Sequence, residues 1–175
     1  NPKEHELVLD MAASPGSKTT QLAAMMNNTG VIVANDYKAI RLAALAVNTQ
    51  RVRAANVIIT LMAGQQIKGL QFDKILLDAP CSGTGTISKS LKTIDMWNPS
   101  MVTRLSVQQK QLADTAWKLL KPNGTMVYST CTLEPEEDEG VIDYFVEHHD
   151  DVMVDEIEPS ELPGLKRSPA VAEFE

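Results

Sequence analysis

The chain of 175 residues has only two cysteines, Cys81 and Cys131, which excludes a disulfide framework and fits a cytosolic setting. It has no apolar stretch long enough to span a bilayer. Its first residues, Asn1-Pro2-Lys3-Glu4-His5-Glu6, hold no signal-peptide core. Neither a GxGxxG dinucleotide fingerprint nor a phosphate-binding loop occurs. No cluster with metal-ligand spacing is present, so no metal is expected. Internal repeats and low-complexity tracts are missing too. His5, His148 and His149 lie outside every motif and are expected at the surface.

What is there is ordinary globular material, 43% apolar and 22% charged. The net charge of −7 is unevenly spread. From Glu134 onward there are fifteen acids and two bases, whereas residues 1–133 carry fourteen bases and eight acids. The body is mildly basic, well short of a dedicated nucleic-acid module.

Strand and helix patterns alternate. Strands are expected at Glu6–Met11, Val31–Ala34, Val57–Thr60, Phe72–Asp78, Thr125–Thr130 and Val152–Ile157. Helices are expected at Lys18–Met26 (capped by Ser17), Ala39–Arg51, Pro99 to about Leu120, and Glu136–His148. Lys121–Gly124 reads as a turn. This order implies an α/β fold with a doubly wound, mostly parallel sheet. One catalytic domain is expected over 1–158, followed by an acidic, proline-containing tail over 159–175.

The first strand leads into Ala12-Ala13-Ser14-Pro15-Gly16-Ser17-Lys18, whose small residues let backbone approach a ligand. Asp36, twenty residues past Gly16, is placed to accept ribose hydroxyls. A mononucleoside such as S-adenosylmethionine suits such a loop, although an ordinary strand–helix turn has the same spacing.

Both thiols follow apolar runs. Cys81 sits in Asp78-Ala79-Pro80-Cys81-Ser82-Gly83, and Cys131 in Tyr128-Ser129-Thr130-Cys131-Thr132. In an open α/β sheet, strand C-termini are where ligands bind. Either cysteine taken alone reads equally well as a small buried hydrophobe. As a pair, with an acid three residues before one of them, they read as a nucleophile and its partner.

These segments, together with Leu9–Thr19 and Pro135-Glu136-Glu137, resemble the Sun-type RNA cytosine-5 methyltransferases. Asn48, Arg51 and Asn56 match that family's pattern as well. The resemblance runs from about Leu7 to about Glu139 and implies a Rossmann-like class I methyltransferase fold lacking its last strand. It implies methyl transfer from S-adenosylmethionine to carbon 5 of a cytosine in rRNA or tRNA, in the cytoplasm, or the nucleolus or nucleus of a eukaryote. Cys131 is then the nucleophile and Cys81 the group that helps release the product. Ala12 to Lys18, Asp36, Arg41 and Asp78 line the cofactor and active site.

The chemistry matches these assignments. Carbon 5 of cytosine is a poor nucleophile until a thiolate adds to carbon 6. Asp78 is the expected partner of the ring nitrogen, and the Pro80 carbonyl of the exocyclic amine. Lys89 and Lys92 are expected to hold phosphates of an unpaired or flipped RNA segment, with Arg51 and Arg53 as further candidates. Trp97 is a candidate base-stacking residue or loop anchor, and Trp117 a core residue. Lys18 is a candidate to hold Asp78 or the target base.

The chain departs from the family pattern at four points. Ala63 stands where an acid is usual, Ser14 replaces Ala, Arg53 replaces Gly, and the outer segments at both ends are missing, as expected of a fragment or trimmed form. A non-catalytic cofactor- or RNA-binding scaffold of the same fold is therefore the alternative. A nicotinamide oxidoreductase, resting on Asp36 alone, is a third reading.

Overall fold

The computed structural model describes residues 1–155. They fall into two compact units, the first comprising Asn1–Pro80 with Gln111–Thr130, the second Cys81–Lys110 with the chain from Cys131 onward.

The first unit carries a parallel sheet of five strands, β1 (Leu7–Asp10), β2 (Val31–Asp36), β3 (Val57–Leu61), β4 (Phe72–Asp78) and β5 (Leu120–Ser129), in the order β3-β2-β1-β4-β5. β1 is central and fully flanked, so Val8, Leu9 and Asp10 are all buried. Strands covered on both faces read as continuous apolar runs, as Leu7-Val8-Leu9 and Ile75-Leu76-Leu77 do. The order reverses between β1 and β4. Such a switch point splays the following loops apart and opens a crevice at the strand C-termini.

Helix α1 (Ser17–Met25) places Ala23 and the following Met26 on Val8 and Ile32. Helix α2 (Ala39–Arg51) places Leu45 on Ala13 and Ala34. Each fully buried side chain of this size contributes roughly 2 kcal/mol. The expected cap of α1 is corrected: Ser17 is its first helical residue, and Gly16 occupies the cap position with no side-chain cap bond.

β5 differs from expectation at its start. Leu120 already pairs with Phe72, and Thr125 next pairs with Lys74, so the intervening residues bulge instead of preceding the strand. The bulge is pinned by Lys121 Nζ on Asp73 Oδ1 at 2.8 Å.

In the second unit, α3 (Lys92–Met96) precedes α4 (Pro99–Leu119), whose residues from Gln111 on belong to the first unit. There Leu112 packs against Met11 and Gly64. Helix α5 (Glu139–His148) begins later than expected because Pro135–Asp138 form a turn, with the Pro135 carbonyl accepting from the Gly140 N–H at 2.8 Å. The sixth strand is corrected as well. Residues 152–155 are not extended into a sheet, and the rest of Val152–Ile157 lies outside the described residues, as does the tail from 159. No helix among the described residues is long and apolar enough to cross a membrane.

Candidate active site

In the first unit the loop after β1 is organised by its own backbone and by α2. Gly16 N–H donates to the Ala13 carbonyl at 2.7 Å, and Gly16 adopts φ +103°. A Cβ there would lie 2.8 Å from Leu45 Cδ1. Only glycine satisfies both conditions without strain. Asn48 Nδ2 donates to the Pro15 carbonyl at 2.8 Å, and Arg41 Nη2 to the Ser14 carbonyl at 2.6 Å. Ala13, Ser14 and Gly16 are buried, Ala12 half-buried, and Pro15, Ser17 and Lys18 exposed.

Asp36 is nearly inaccessible, at 1% exposure. Its Oδ2 accepts from the Ser14 N–H at 3.3 Å and its Oδ1 from the Lys38 N–H at 2.9 Å, with Arg41 Nη1 3.5 Å from Oδ2. Its carboxylate thus fixes the loop.

At the switch point, Asp78 ends β4. Its Oδ2 lies 2.7 Å from Lys18 Nζ, and its Oδ1 accepts from Ser129 Oγ at 2.7 Å. Lys18 therefore does hold Asp78.

The second unit holds both thiols. Cys81 Sγ and Cys131 Sγ are 3.1 Å apart, and the Cys131 N–H points at Cys81 Sγ at 3.3 Å. Both are free thiols, Cys81 half-buried and Cys131 exposed. Neither is a buried core residue. Burial pushes the Cys81 thiol up from 9.0 to about 12, a rise that the hydrogen bond from the Cys131 N–H only partly opposes. Cys81 is thus a protonated thiol at neutral pH, set against an accessible sulfur.

Hydroxyls lace the two cysteine segments together. Ser82 Oγ and Thr132 Oγ1 are 2.7 Å apart, Thr84 Oγ1 and Thr132 Oγ1 2.9 Å, and Gly85 N–H donates to the Cys131 carbonyl at 3.1 Å. Lys89, before α3, and Lys92, its first residue, are both exposed. Trp97 Nε1 donates to Glu134 Oε1 at 2.9 Å, which makes it a loop anchor with a half-open face. His5 and His148 are exposed, His149 and Trp117 half-buried. Among the described residues no group of His, Cys, Asp or Glu is arranged to hold a metal ion.

The family model described as 16S rRNA methyltransferase RsmB/F matches residues 1–171. The chain belongs to this RsmB/F family. It is 45% identical to the ribosomal RNA small subunit methyltransferase F of Vibrio campbellii, over 87% of this chain and 33% of that protein. It is 46% identical to the protein of the same name from Shewanella amazonensis, over 85% and 32%. The chain thus spans about a third of the length of these curated relatives. Among solved structures it resembles NSun6 from Pyrococcus horikoshii with SFG, with a TM-score of 0.78 and 36% identity over 84% of this chain and 38% of that one. A methyltransferase homolog from the same organism gives 0.76 and 42% identity over 85% and 47%. The expected Sun-type resemblance and the Rossmann-like methyltransferase fold both stand.

Within this RsmB/F-family chain, two expected oddities have structural counterparts. Arg53, where the family pattern has Gly, adopts φ +55°, a conformation glycine takes freely. Ala63 follows a segment held by buried Asn35, whose Nδ2 donates to the Met62 carbonyl at 3.0 Å and whose Oδ1 accepts from the Met62 N–H at 3.2 Å.

Three groups escaped the sequence reading. Asp10, 1% exposed, accepts from Thr19 Oγ1 at 2.7 Å, and burial pushes its carboxyl up to about 6. Ser129 and Glu137 lie inside the motifs but carried no expected role. The available signal was an acid in the middle of a buried strand-and-loop motif, a costly placement without a purpose.

Proposed function

We propose that this chain carries the catalytic core of an RNA methyltransferase that methylates carbon 5 of a cytosine through a covalent bond from Cys131. The single observation that supports this reading is an accessible thiol 3.1 Å from a second, protonated one. Thiols so placed without forming a core fit a nucleophile and an acid–base partner. The RsmB/F family and the named small-subunit rRNA methyltransferases make rRNA the leading substrate class. A cytoplasmic setting goes with that substrate.

The loop from Ala12 to Lys18 fits S-adenosylmethionine. Its side chains are small, and the buried Ser14 Oγ has no hydrogen-bond partner among the described residues. NSun6, solved with the S-adenosylmethionine analogue SFG, supports the same cofactor. Arg41 and Asp36 brace that loop. When bound, the cofactor supplies an electrophilic methyl group for carbon 5.

Cys131, as thiolate, forms a bond to carbon 6 and delivers an electron pair to the ring. Asp78, held by Lys18 and Ser129, relays to the ring nitrogen the proton that the Cys131 thiol gives up, as negative charge builds there. The Pro80 carbonyl accepts from the exocyclic amine, which favours cytosine over uracil. After methylation the carbon 5 proton passes to the Cys81 sulfur once that thiol has given its own proton up to water, which only a small fraction has done at neutral pH. The bond from carbon 6 to Cys131 then breaks, and its electron pair returns to that sulfur. Lys89 and Lys92 hold RNA phosphates.

Incubation with labelled S-adenosylmethionine and 16S rRNA, followed by mass spectrometry of the nucleosides, tests the reading. Cys131→Ala should abolish both methylation and adduct, whereas Cys81→Ala should accumulate a protein–RNA adduct stable on denaturing gels. Full turnover by Cys131→Ala refutes the assignment.

A second reading, a non-catalytic scaffold of the same fold, is favoured by the burial of Asp36 and by Ala63. Absence of binding heat with millimolar S-adenosylmethionine would select it.

A further inference from the structure

Glu137 is fully buried, at 0% exposure, although its place just before α5 would suit a solvated acid facing a helix N-terminus. Its Oε2 accepts from the Ser82 N–H at 3.0 Å and from Gln109 Nε2 at 2.8 Å, while Oε1 lies 3.3 Å from the same Ser82 N–H. Gln109, on α4, is also at 0% exposure. Burying an ionised carboxylate is costly unless donors surround it. An apolar side chain would fill this space at less cost. The donors that offset its burial belong to the residue next to Cys81 and to the helix behind it.

We propose that Glu137 is the positioning residue of the release step. Its carboxylate clamps the Ser82 amide, and so fixes the turn that aims the Cys81 sulfur at Cys131. It touches neither thiol and acts through Ser82. The hydroxyls of Ser82, Thr84 and Thr132 set the spacing of the two segments, and Glu137 ties that assembly to α4 through Gln109. A carboxylate suits this position because the Ser82 N–H and Gln109 Nε2 that it meets are both donors. A glutamine at 137 would turn its own N–H₂ toward one of them. The inference rests on the proposed cytosine methylation, with Cys81 taking the carbon 5 proton.

The test follows single turnovers of the purified protein on 16S rRNA, measuring adduct formation, methyl incorporation and adduct decay separately. The chains compared are the unsubstituted protein, Cys81→Ala, Glu137→Gln, Gln109→Glu, and the double variant Glu137→Gln with Gln109→Glu. Glu137→Gln should form the adduct and methylate at near the normal rate but release product about tenfold or more slowly, since misplacement of a reacting group by about 1 Å costs on that order. Calorimetric affinity for S-adenosylhomocysteine should not move. The double variant exchanges the amide and the carboxylate between the two positions. The amide oxygen at position 137 then accepts from the Ser82 N–H while its N–H₂ donates to the carboxylate at position 109, so release should return to within about threefold of normal.

A uniform loss of adduct formation, methylation and release in Glu137→Gln would overturn the proposal, as would unchanged release. Should Glu137→Gln fail to fold, the double variant decides. Normal release from it supports the clamp, and slow release or failure to fold defeats it. Cys81→Ala separates the two levels of the argument. If that variant accumulates no adduct, the proposed chemistry itself is wrong. If it does and Glu137→Gln does not, only the role given to Glu137 falls.

Discussion

Replacing Gly16 by Ala combines two costs that another glycine separates. Gly16 has φ +103°, and a methyl group there would lie 2.8 Å from Leu45 Cδ1. Leu45 is at 0% exposure, packed with Ala13 and Ala34, so it has no open space to retreat into. Backbone strain in such a conformation costs roughly 1–3 kcal/mol. Forcing a methyl group into a packed core costs about 1–3 kcal/mol more. Gly69 is the control: its φ is +85°, but a Cβ there meets nothing within 4 Å. Gly69→Ala should therefore show the strain alone. The entropy that alanine removes from the unfolded chain is common to both and cancels in the comparison. Urea unfolding followed by circular dichroism should place Gly16→Ala below Gly69→Ala by about 1–3 kcal/mol, a gap in melting temperature of roughly 2–12 °C for a chain of this size. Because Leu45 and Asn48 brace the loop proposed to hold the cofactor, affinity for S-adenosylhomocysteine should fall in the first variant and not in the second. Equal stability of the two variants, within about 0.5 kcal/mol, would refute the steric argument.

Further outcomes follow from the buried acid and the raised thiol. Asp10 has its carboxyl raised from 3.8 to about 6 by burial, so the unfolded chain gives up this proton before the folded one does. Folding stability should fall as pH rises from about 4 to about 6, by about 2–4 kcal/mol from this group, and then level off. Asp10→Asn should lack that slope in denaturant titrations at pH 4, 5, 6 and 7, and an unchanged slope would exclude Asp10 as its source. With the Cys81 thiol raised to about 12, its thiolate fraction climbs about tenfold per pH unit through neutrality. Adduct decay should therefore quicken steeply between pH 7 and 9 in the unsubstituted protein, whereas in Cys81→Ala it should stay slow and nearly flat. Lys18→Met removes the cation 2.7 Å from Asp78 and should slow adduct formation at unchanged folding stability, because both groups are partly exposed. A slowdown confined to adduct decay would show that Asp78 acts elsewhere.

The elements were largely legible because parallel strands buried on both faces announce themselves as apolar runs, as at Phe72–Asp78, and amphipathic helices by their period, as at Ala39–Arg51. Local rules failed where a tertiary contact competed with them. Ser17 had the right chemistry for a cap, yet the cramped approach of α2 placed Gly16 there. Lys121–Gly124 looked like a turn, but Leu120 had already found Phe72. Glu136–Asp138 looked helical, but the Glu137 carboxylate was committed to Ser82 and Gln109.

The order of residues alone marked the candidate groups: two thiols, an acid ahead of one of them, and a loop of small residues after the first strand. Types and spacings are written in the chain, and reactivity follows type. Folding decided which groups meet and in what medium. It brought sulfurs fifty residues apart to 3.1 Å, buried Glu137 beneath one of them, and shut Asp36 and Asp10 away from water. Distance and desolvation belong to pairs of groups in space, so a string of residues does not contain them.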